Sequence, residues 1–435
     1  MKILLLGENA LIKLTYFYRT IYSNFSFISS IHARQLAAIT PKKHTVKVLV
    51  SNEEINYDED CDGVFIHFRT GTAIQAYKVA DCFRNEGKMV ILSGGHPSAL
   101  PEEAGGHADS VLVGNVENLW FTVLDDLEND SLKSVYRSKA EKFDVSFGAS
   151  KIDAGSNIPM VGVIEASRGC PYKCDFCQDS NVLHGSVFRP RPIDEIINEI
   201  KTFPQKFLFF CDASLTIDPS FTKDLFRAMK GLKKKFVCEG NADVLARDDE
   251  LCRLSHEAGC TEWTVGFESF FQQTLEDVHK KTNTASDFDS VVKNVHKHKM
   301  AILGTFMFGF EHDTNEVFNV TLNKIKQIKL DSARFAILTP YPGTPMFNKL
   351  KEEGRILTKD WSKYNRKTVV FKPKKMTPDE LQTGFFKITS SFNSLPNVIY
   401  RDVRCLKRGF FPFINCVSRN LENYLNRPKK WVKTV

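Results

Sequence analysis

Cys170, Cys174 and Cys177 stand at Cys-x3-Cys-x2-Cys spacing within Arg168-Gly169-Cys170-Pro171-Tyr172-Lys173-Cys174-Asp175-Phe176-Cys177. Thiolates so close on one loop can converge on a metal centre without help from distant segments. Three ligands are one short of a closed structural zinc site. They suit a cubane iron–sulfur cluster with one iron left to a ligand that is not protein. A zinc site completed by a distant Cys or His is the other reading of the same triplet. The chain has eleven cysteines and no second cluster of them. A reducing cytoplasm is therefore expected, where thiols stay free for metal instead of pairing.

A second set of chemical side chains recurs at the ends of apolar runs. From Met160 onward, strands are expected at Met160–Ile164, Phe207–Phe210, Phe236–Glu239, Glu262–Val265, Ile302–Met307 and Ala333–Leu338. Helical patterns separate them, such as Ile193, Ile196, Ile197 and Ile200. Asp212 closes the second run, Glu239, Asn241 and Asp243 follow the third, Gly266-Phe267-Glu268-Ser269 the fourth, and Gly309-Phe310-Glu311 the fifth. In a parallel barrel those ends share one rim, where catalytic groups collect.

Residues 1–125 alternate in the same way, with short strands expected at Ile3–Leu6, Val46–Val50, Gly63–Phe68, Met89–Leu92 and Ser110–Val113. Such runs suit a doubly wound parallel sheet buried on both faces. Its ligand loops would be Arg69-Thr70-Gly71, Ser93-Gly94-Gly95-His96-Pro97 and Gly114-Asn115-Val116-Glu117. No Gly-x-Gly-x-x-Gly follows the first strand, so a dinucleotide is not indicated. Residues 126–159 are charged and polar and read as a linker, 160–350 as the barrel, and 351–435 as a mostly helical, basic extension.

The net charge is +7, but nine basic residues against two acidic ones lie from Arg401 onward. The main body is thus near neutral, which gives no support to nucleic-acid binding. Met1-Lys2-Ile3-Leu4-Leu5-Leu6 is too short for a signal peptide, and no run is long enough for a membrane span. The aromatic and basic C-terminus is expected to be a packed helix with a solvated basic face, in preference to a membrane-surface contact.

The cysteine loop, with Phe176 before its last cysteine, resembles the signature of the radical S-adenosylmethionine (SAM) superfamily. The stretch from Val90 to Glu117 resembles the cobalamin-binding domain that precedes many barrels of that superfamily. The segment Thr339-Pro340-Tyr341-Pro342-Gly343-Thr344-Pro345 is similar to the same group. The resemblance implies an N-terminal Rossmann-like sheet followed by a partial (β/α)6 barrel. It implies a [4Fe-4S] cluster on Cys170, Cys174 and Cys177, with SAM on the open iron, cleaved reductively to activate an unreactive carbon. Phe176, Asp212, Glu239, Asn241, Gly266, Glu268 and Ser269 fall at its SAM positions, Asp212 being expected to accept from the methionine amine. Thr70, Gly94, Gly95, Gly114 and Glu117 fall on the cobalamin side. There is no Asp-x-His-x-x-Gly, so no histidine is nominated beneath the cobalt, and the usual Gly-Glu-Gly-Glu turn is replaced by Gly114-Asn115-Val116-Glu117.

Cobalamin-dependent carbon methylation is the function this resemblance favours. Cyclisation or rearrangement without methyl transfer is the runner-up, and a non-enzymatic iron–sulfur or zinc sensor or scaffold the third. Methylthiolation is disfavoured, because only Cys61 and Cys82 precede the triplet. The implied partners are a small-molecule or lipid-like substrate and a low-potential electron donor of flavodoxin or ferredoxin type. Replacing any one of Cys170, Cys174 or Cys177 with Ala is predicted to abolish cluster binding and SAM cleavage, read as iron per chain and 5′-deoxyadenosine formed.

Overall fold

Short runs of branched and aromatic residues become strands whose alternate side chains feed two different cores. The computed structural model describes residues 1–11, 31–49, 55–139 and 161–427. In β1 (Lys2–Leu6), Leu4 and Leu6 face one apolar layer while Ile3 and Leu5 face another. β2 (Thr45–Leu49), β3 (Gly63–His67), β4 (Met89–Ser93), β5 (Ser110–Val113) and β6 (Val135–Arg137) complete a parallel sheet in the order β2-β1-β3-β4-β5-β6. Helices cover both faces, as parallel strands require.

β6 corrects the expectation of a linker from residue 126. The helix Glu117–Glu128 runs through that boundary, and Val111, Leu112 and Val113 pair with Val135, Tyr136 and Arg137. Tyr136 is the signal that charge content hid: its ring is buried and its hydroxyl donates to Asp126 at 2.6 Å. The part of the expected linker from 140 to 159 lies outside the described residues, as do Val50 and Met160 of two expected strands.

β7 (Val161–Ile164) leads into a two-stranded hairpin, β8 (Ser167–Arg168) with β9 (Arg189–Pro190), that brackets the cysteine loop. β10 (Phe207–Phe210), β11 (Lys235–Gly240), β12 (Cys260–Glu268), β13 (Ala301–Phe308) and β14 (Ser332–Ile337) follow. The second sheet is parallel throughout, in the order β14-β13-β12-β11-β10-β7, the sequential order of a partial (β/α)6 barrel. β12 shows how its faces are divided. Trp263, Val265 and Phe267 are fully buried in the apolar core, while Glu262, Thr264, Gly266 and Glu268 alternate with them. One face is oil against helices; the other carries the polar groups.

The segment after the barrel returns to the first sheet. Trp361 and Tyr364 join the core formed by Leu4, Val64 and Phe83. Trp361 Nε1 donates to Glu103 at 2.8 Å, and its ring meets His96 edge-on at 5.2 Å. The helix Pro378–Phe392 starts where Thr377-Pro378-Asp379-Glu380 predicts, with Thr377 and Glu380 forming reciprocal caps.

The C-terminal helices Leu395–Cys405 and Phe410–Leu425 differ from expectation in two ways. The basic face is turned inward, not solvated. Arg401 is buried and donates to the Phe392 carbonyl at 2.6 Å, Arg404 and Arg408 reach the buried Asp331, and Arg419 reaches the buried Glu262. Two thiols are also not free. Side-by-side packing of the helices brings Cys405 and Cys416 together as a disulfide. Among the described residues, no helix is long and apolar enough to cross a membrane.

Truncating Trp361 to Ala removes a large buried ring from the core of the first sheet. The expected cost is about 3–5 kcal/mol, seen as a lower midpoint in urea unfolding.

Candidate active site

The cysteine loop is held open by backbone geometry. Gly169 adopts φ +88, and a side chain there would strike the Val187 carbonyl. Lys173 takes a left-handed φ of 49 immediately before Cys174. Cys170 N donates to Gly185 O at 2.9 Å, and Asn181 Nδ2 donates to the carbonyls of Cys174 and Cys177 at 2.9 and 2.7 Å. The loop carbonyls are thus satisfied by protein, leaving the sulfurs to a metal. Burial pushes all three thiols up, Cys174 to about 11, so loading iron must displace protons.

Among the described residues, the one compact group of three potential metal ligands joins Asp331, Cys405 and Cys416, but the two cysteines are bonded to each other and Asp331 is paired with Arg404 and Arg408.

Two residues before Cys170, Arg168 is clamped between carboxylates. Its guanidinium lies 2.8 Å from Glu117 and 2.6 Å from Glu165, and it donates to Gln35 at 3.2 Å. Gln35 Nε2 returns a bond to Glu165 at 2.9 Å. Burial pushes the Glu117 carboxyl up, but Arg168 and His32 outweigh it and hold Glu117 well below the usual carboxylate range. Glu117 was expected on the cofactor side. The structure commits it to Arg168, so it ties the first sheet to the cysteine loop.

Asp212, at the expected strand end, holds the neighbouring backbone. It is buried at 3% exposure and accepts from Ala166 N at 3.2 Å, from Ser167 Oγ at 2.7 Å and from Ser167 N. Those bonds stabilise the strand that delivers Arg168 and Cys170. Burial raises the Asp212 carboxyl to about 7, against the bonds from Ser167 and Ala166. One carboxylate oxygen takes both bonds from Ser167, and the other a single bond from Ala166 N.

The other rim residues do converge. β12 bulges between Gly266 and Glu268, so that Glu268 stands at φ +63, an unusual conformation for a side-chain residue. Asn283 Nδ2 pins the bulge through the carbonyls of Gly266 and Phe267, both at 2.8 Å. A Cβ on Gly266 would meet Glu268 Oε1 and, at 3.6 Å, Lys280 Nζ. Lys280 was missed from the sequence. Burial works against its charge, but Glu268 and the three thiols prevail and raise it. Burial likewise raises Glu268, and Glu239 to about 7. Asn241 Nδ2 is buried and makes no well-aligned hydrogen bond, with the Tyr172 hydroxyl as its neighbour. Ser269 is buried beside the bulge, and Phe176 meets Phe310 edge-on at 6.3 Å. Glu311, by contrast, turns away to Arg355 at 2.6 Å.

The first sheet presents its loops to this rim. Gln178, next to Cys177, donates to Thr70 Oγ1 at 3.3 Å, Gly95 O at 3.4 Å and Pro342 O at 3.3 Å. Gly94 needs its φ of 116, because a Cβ would overlap the Phe68 carbonyl. Gly114 N accepts support from Ser98, donating to its Oγ at 3.0 Å. His96 is buried, with Nδ1 3.3 Å from Thr70 Oγ1 and Nε2 3.2 Å from Glu103.

Residues 164–325 match the radical SAM superfamily. Bacteriochlorophyllide d C-12(1)-methyltransferase of Chlorobaculum tepidum is 32% identical over 340 residues, covering 75% of this chain and 74% of that protein. The chain belongs to the radical SAM superfamily. A second C. tepidum relative of this radical SAM protein, bacteriochlorophyllide d C-8(2)-methyltransferase, is 32% identical over 388 residues, covering 82% and 83% of the two chains. The fold is shared with solved cobalamin-containing members. TsrM from Kitasatospora setae, with cobalamin and a [4Fe-4S] cluster bound, matches at TM-score 0.62 and 14% identity over 81% of this chain and 78% of its own. OxsB, with aqua-cobalamin and SAM bound, matches at TM-score 0.63 and 14% identity over 98% and 72%. As a radical SAM enzyme the chain takes a [4Fe-4S] cluster and SAM, acts on a small molecule and needs a reductant.

Two changes test this geometry. Glu117→Gln should cost about 3 kcal/mol at pH 7, since it breaks a buried ion pair. A carboxyl held below its unfolded pKa contributes stability above that pKa and loses it as pH falls, so the difference from wild type should shrink below pH ~4.5 in denaturant titrations. Asp212→Ala leaves two backbone N–H groups unpaired at ~1–3 kcal/mol each. It should lower iron bound per chain after anaerobic reconstitution, whereas a residue that served only the SAM amine would leave iron content untouched.

Proposed function

We propose that this radical SAM enzyme methylates a carbon of a small molecule with cobalamin as methyl carrier. The single observation that carries the reading is the Gln178 bridge, which joins the Thr70 and Gly95 loops to the residue after Cys177. Ligands held by the first sheet and by the barrel rim would meet across it. When bound, the cluster and SAM supply radical activation of the carbon, and cobalamin supplies the methyl group.

The chain's part is to bind, orient and exclude water. Cys170, Cys174 and Cys177 hold the cluster. Asn241 Nδ2 offers a donor, and Glu268 an acceptor suited to an ammonium or ribose hydroxyl. Lys280 supplies a positive charge beside the thiolates and complements the SAM carboxylate. Phe176, Gly266 and Ser269 shape the same wall, and Glu239 faces it from the neighbouring strand. Thr70, Gly94, Gly95 and Gly114 form a backbone floor for a corrin, without a bulky side chain in the way. Both ring nitrogens of His96 are engaged within the fold, so this reading puts no histidine beneath the cobalt. Asp212, Arg168 and Glu117 are positioning residues.

The two relatives at 32% identity make bacteriochlorophyllide d the first substrate to try, and more broadly a large apolar or lipid-like molecule. A donor of flavodoxin or ferredoxin type is the reductant this chemistry calls for.

The test is anaerobic incubation of cluster- and cobalamin-loaded protein with reductant, methyl-labelled SAM and bacteriochlorophyllide d. Label recovered on a carbon of the product is the expected result. 5′-Deoxyadenosine formed with product that carries no label would instead favour cyclisation or rearrangement.

A further inference from the structure

The C-terminal helical pair has its polarity inside out. Of the sixteen exposed large hydrophobic side chains among the described residues, nine lie between Leu395 and Leu425. On the first helix and the turn that follows it, Leu395, Ile399, Val403 and Leu406 recur at helical spacing and are 50, 53, 58 and 53% exposed. On the second, Phe410, Ile414, Leu421 and Leu425 do the same, with Phe410 at 68%. The arginines that would ordinarily hold such a face in water point the other way, to Asp331, Glu262 and buried carbonyls. A solvated helix pair has no reason to be built like this. Contiguous apolar exposure on this scale marks a surface that something covers.

Charge decides what covers it. Among described residues 394–427 the only exposed charged side chain is Lys407, and no acidic side chain is exposed. Tyr400 is exposed beside the apolar row, and the sequence continues Arg427-Pro428-Lys429-Lys430-Trp431-Val432-Lys433. Apolar rows bordered by Tyr400 and Lys407, without an exposed carboxylate and followed in sequence by further lysines, match the headgroup region of an anionic leaflet. A second copy matches less well. A two-fold pairing would bring Lys407 of both copies to one patch with no exposed acid to pair with them.

We propose that the helices Leu395–Cys405 and Phe410–Leu425 form a docking face for the surface of an anionic lipid bilayer. The face lies on the membrane and does not span it. Its position leaves the chemistry free. Asn415 and Arg419 bond to Thr261 and Glu262 at the start of β12, and Asn423 to the Ala333 carbonyl near the start of β14. The docking face therefore sits at the barrel end opposite the cysteine rim, so a docked molecule keeps its rim open to substrate and electron donor. This inference is independent of which reaction the rim performs.

The test is co-sedimentation of full-length, cluster-loaded protein with vesicles of phosphatidylcholine alone or with added phosphatidylglycerol. Wild type should bind the anionic vesicles at least tenfold more tightly than the neutral ones, and lose that preference in high salt. Ile399→Ser, Val403→Ser, Leu406→Ser and Phe410→Ser combined should reduce binding at least tenfold, while iron content and SAM cleavage stay at wild-type levels. Should the fourfold variant not fold, Lys407→Glu alone should weaken binding severalfold on anionic vesicles only. Wild type that stays in the supernatant with anionic vesicles overturns the proposal. So does a stable dimer in sedimentation that excludes vesicles and dissociates in the serine variant, since a second copy would then be the occupant.

Discussion

A buried guanidinium is the point on which the two halves of this protein turn. Arg168 lies between Glu117, on the helix that follows β5, and Glu165, directly after β7, two residues ahead of the first thiol. Removing charge from water is costly, and the arrangement is stable only because carboxylates and Gln35 surround the guanidinium on several sides. The consequence is positional. The loop that carries Cys170 cannot move independently of the sheet that carries Thr70, Gly94 and Gly95. Gln178 adds a second tie on the other side of the thiols. Chemistry that passes a group between two large ligands needs this kind of fixed separation.

The rim is organised by backbone as much as by side chains. A bulge in β12 swings Glu268 inward, and Asn283 holds the bulge by two carbonyls. Asp212 does the equivalent for the strand before the cysteines, with its carboxylate turned to Ala166 and Ser167. Buried acids that bind backbone are inexpensive ways to fix a loop, because each bond to an ionised oxygen is strong. Lys280 then sets the sign of the field where thiolates must form. Burial alone would keep those thiols protonated.

Much of this was legible in the sequence, for identifiable reasons. The cysteine triplet is contiguous, so its meaning does not wait on folding. Strands such as β5 and β10 stand exactly where their unbroken apolar runs put them. What was not legible depends on partners far along the chain. Lys280 and Gln178 look like ordinary loop polar residues until folding sets them beside Glu268 and Thr70. Asp212 is legible as a strand-end acid, but its bonds to Ala166 and Ser167 are invisible in one dimension. The C-terminal arginines read as a solvated face, since nothing local shows that Asp331 and Glu262 wait for them. Tyr136 and β6 were lost among charged neighbours.

Three thiolates with one metal corner left open are the centre of this site's chemistry. Mössbauer and electron paramagnetic resonance spectra of anaerobically reconstituted protein test that directly. The expected result is four irons and four sulfides per chain, with a signal that shifts when SAM is added as one iron changes its ligands. A single tightly bound zinc with four protein ligands, or a cluster whose spectrum ignores SAM, would contradict it.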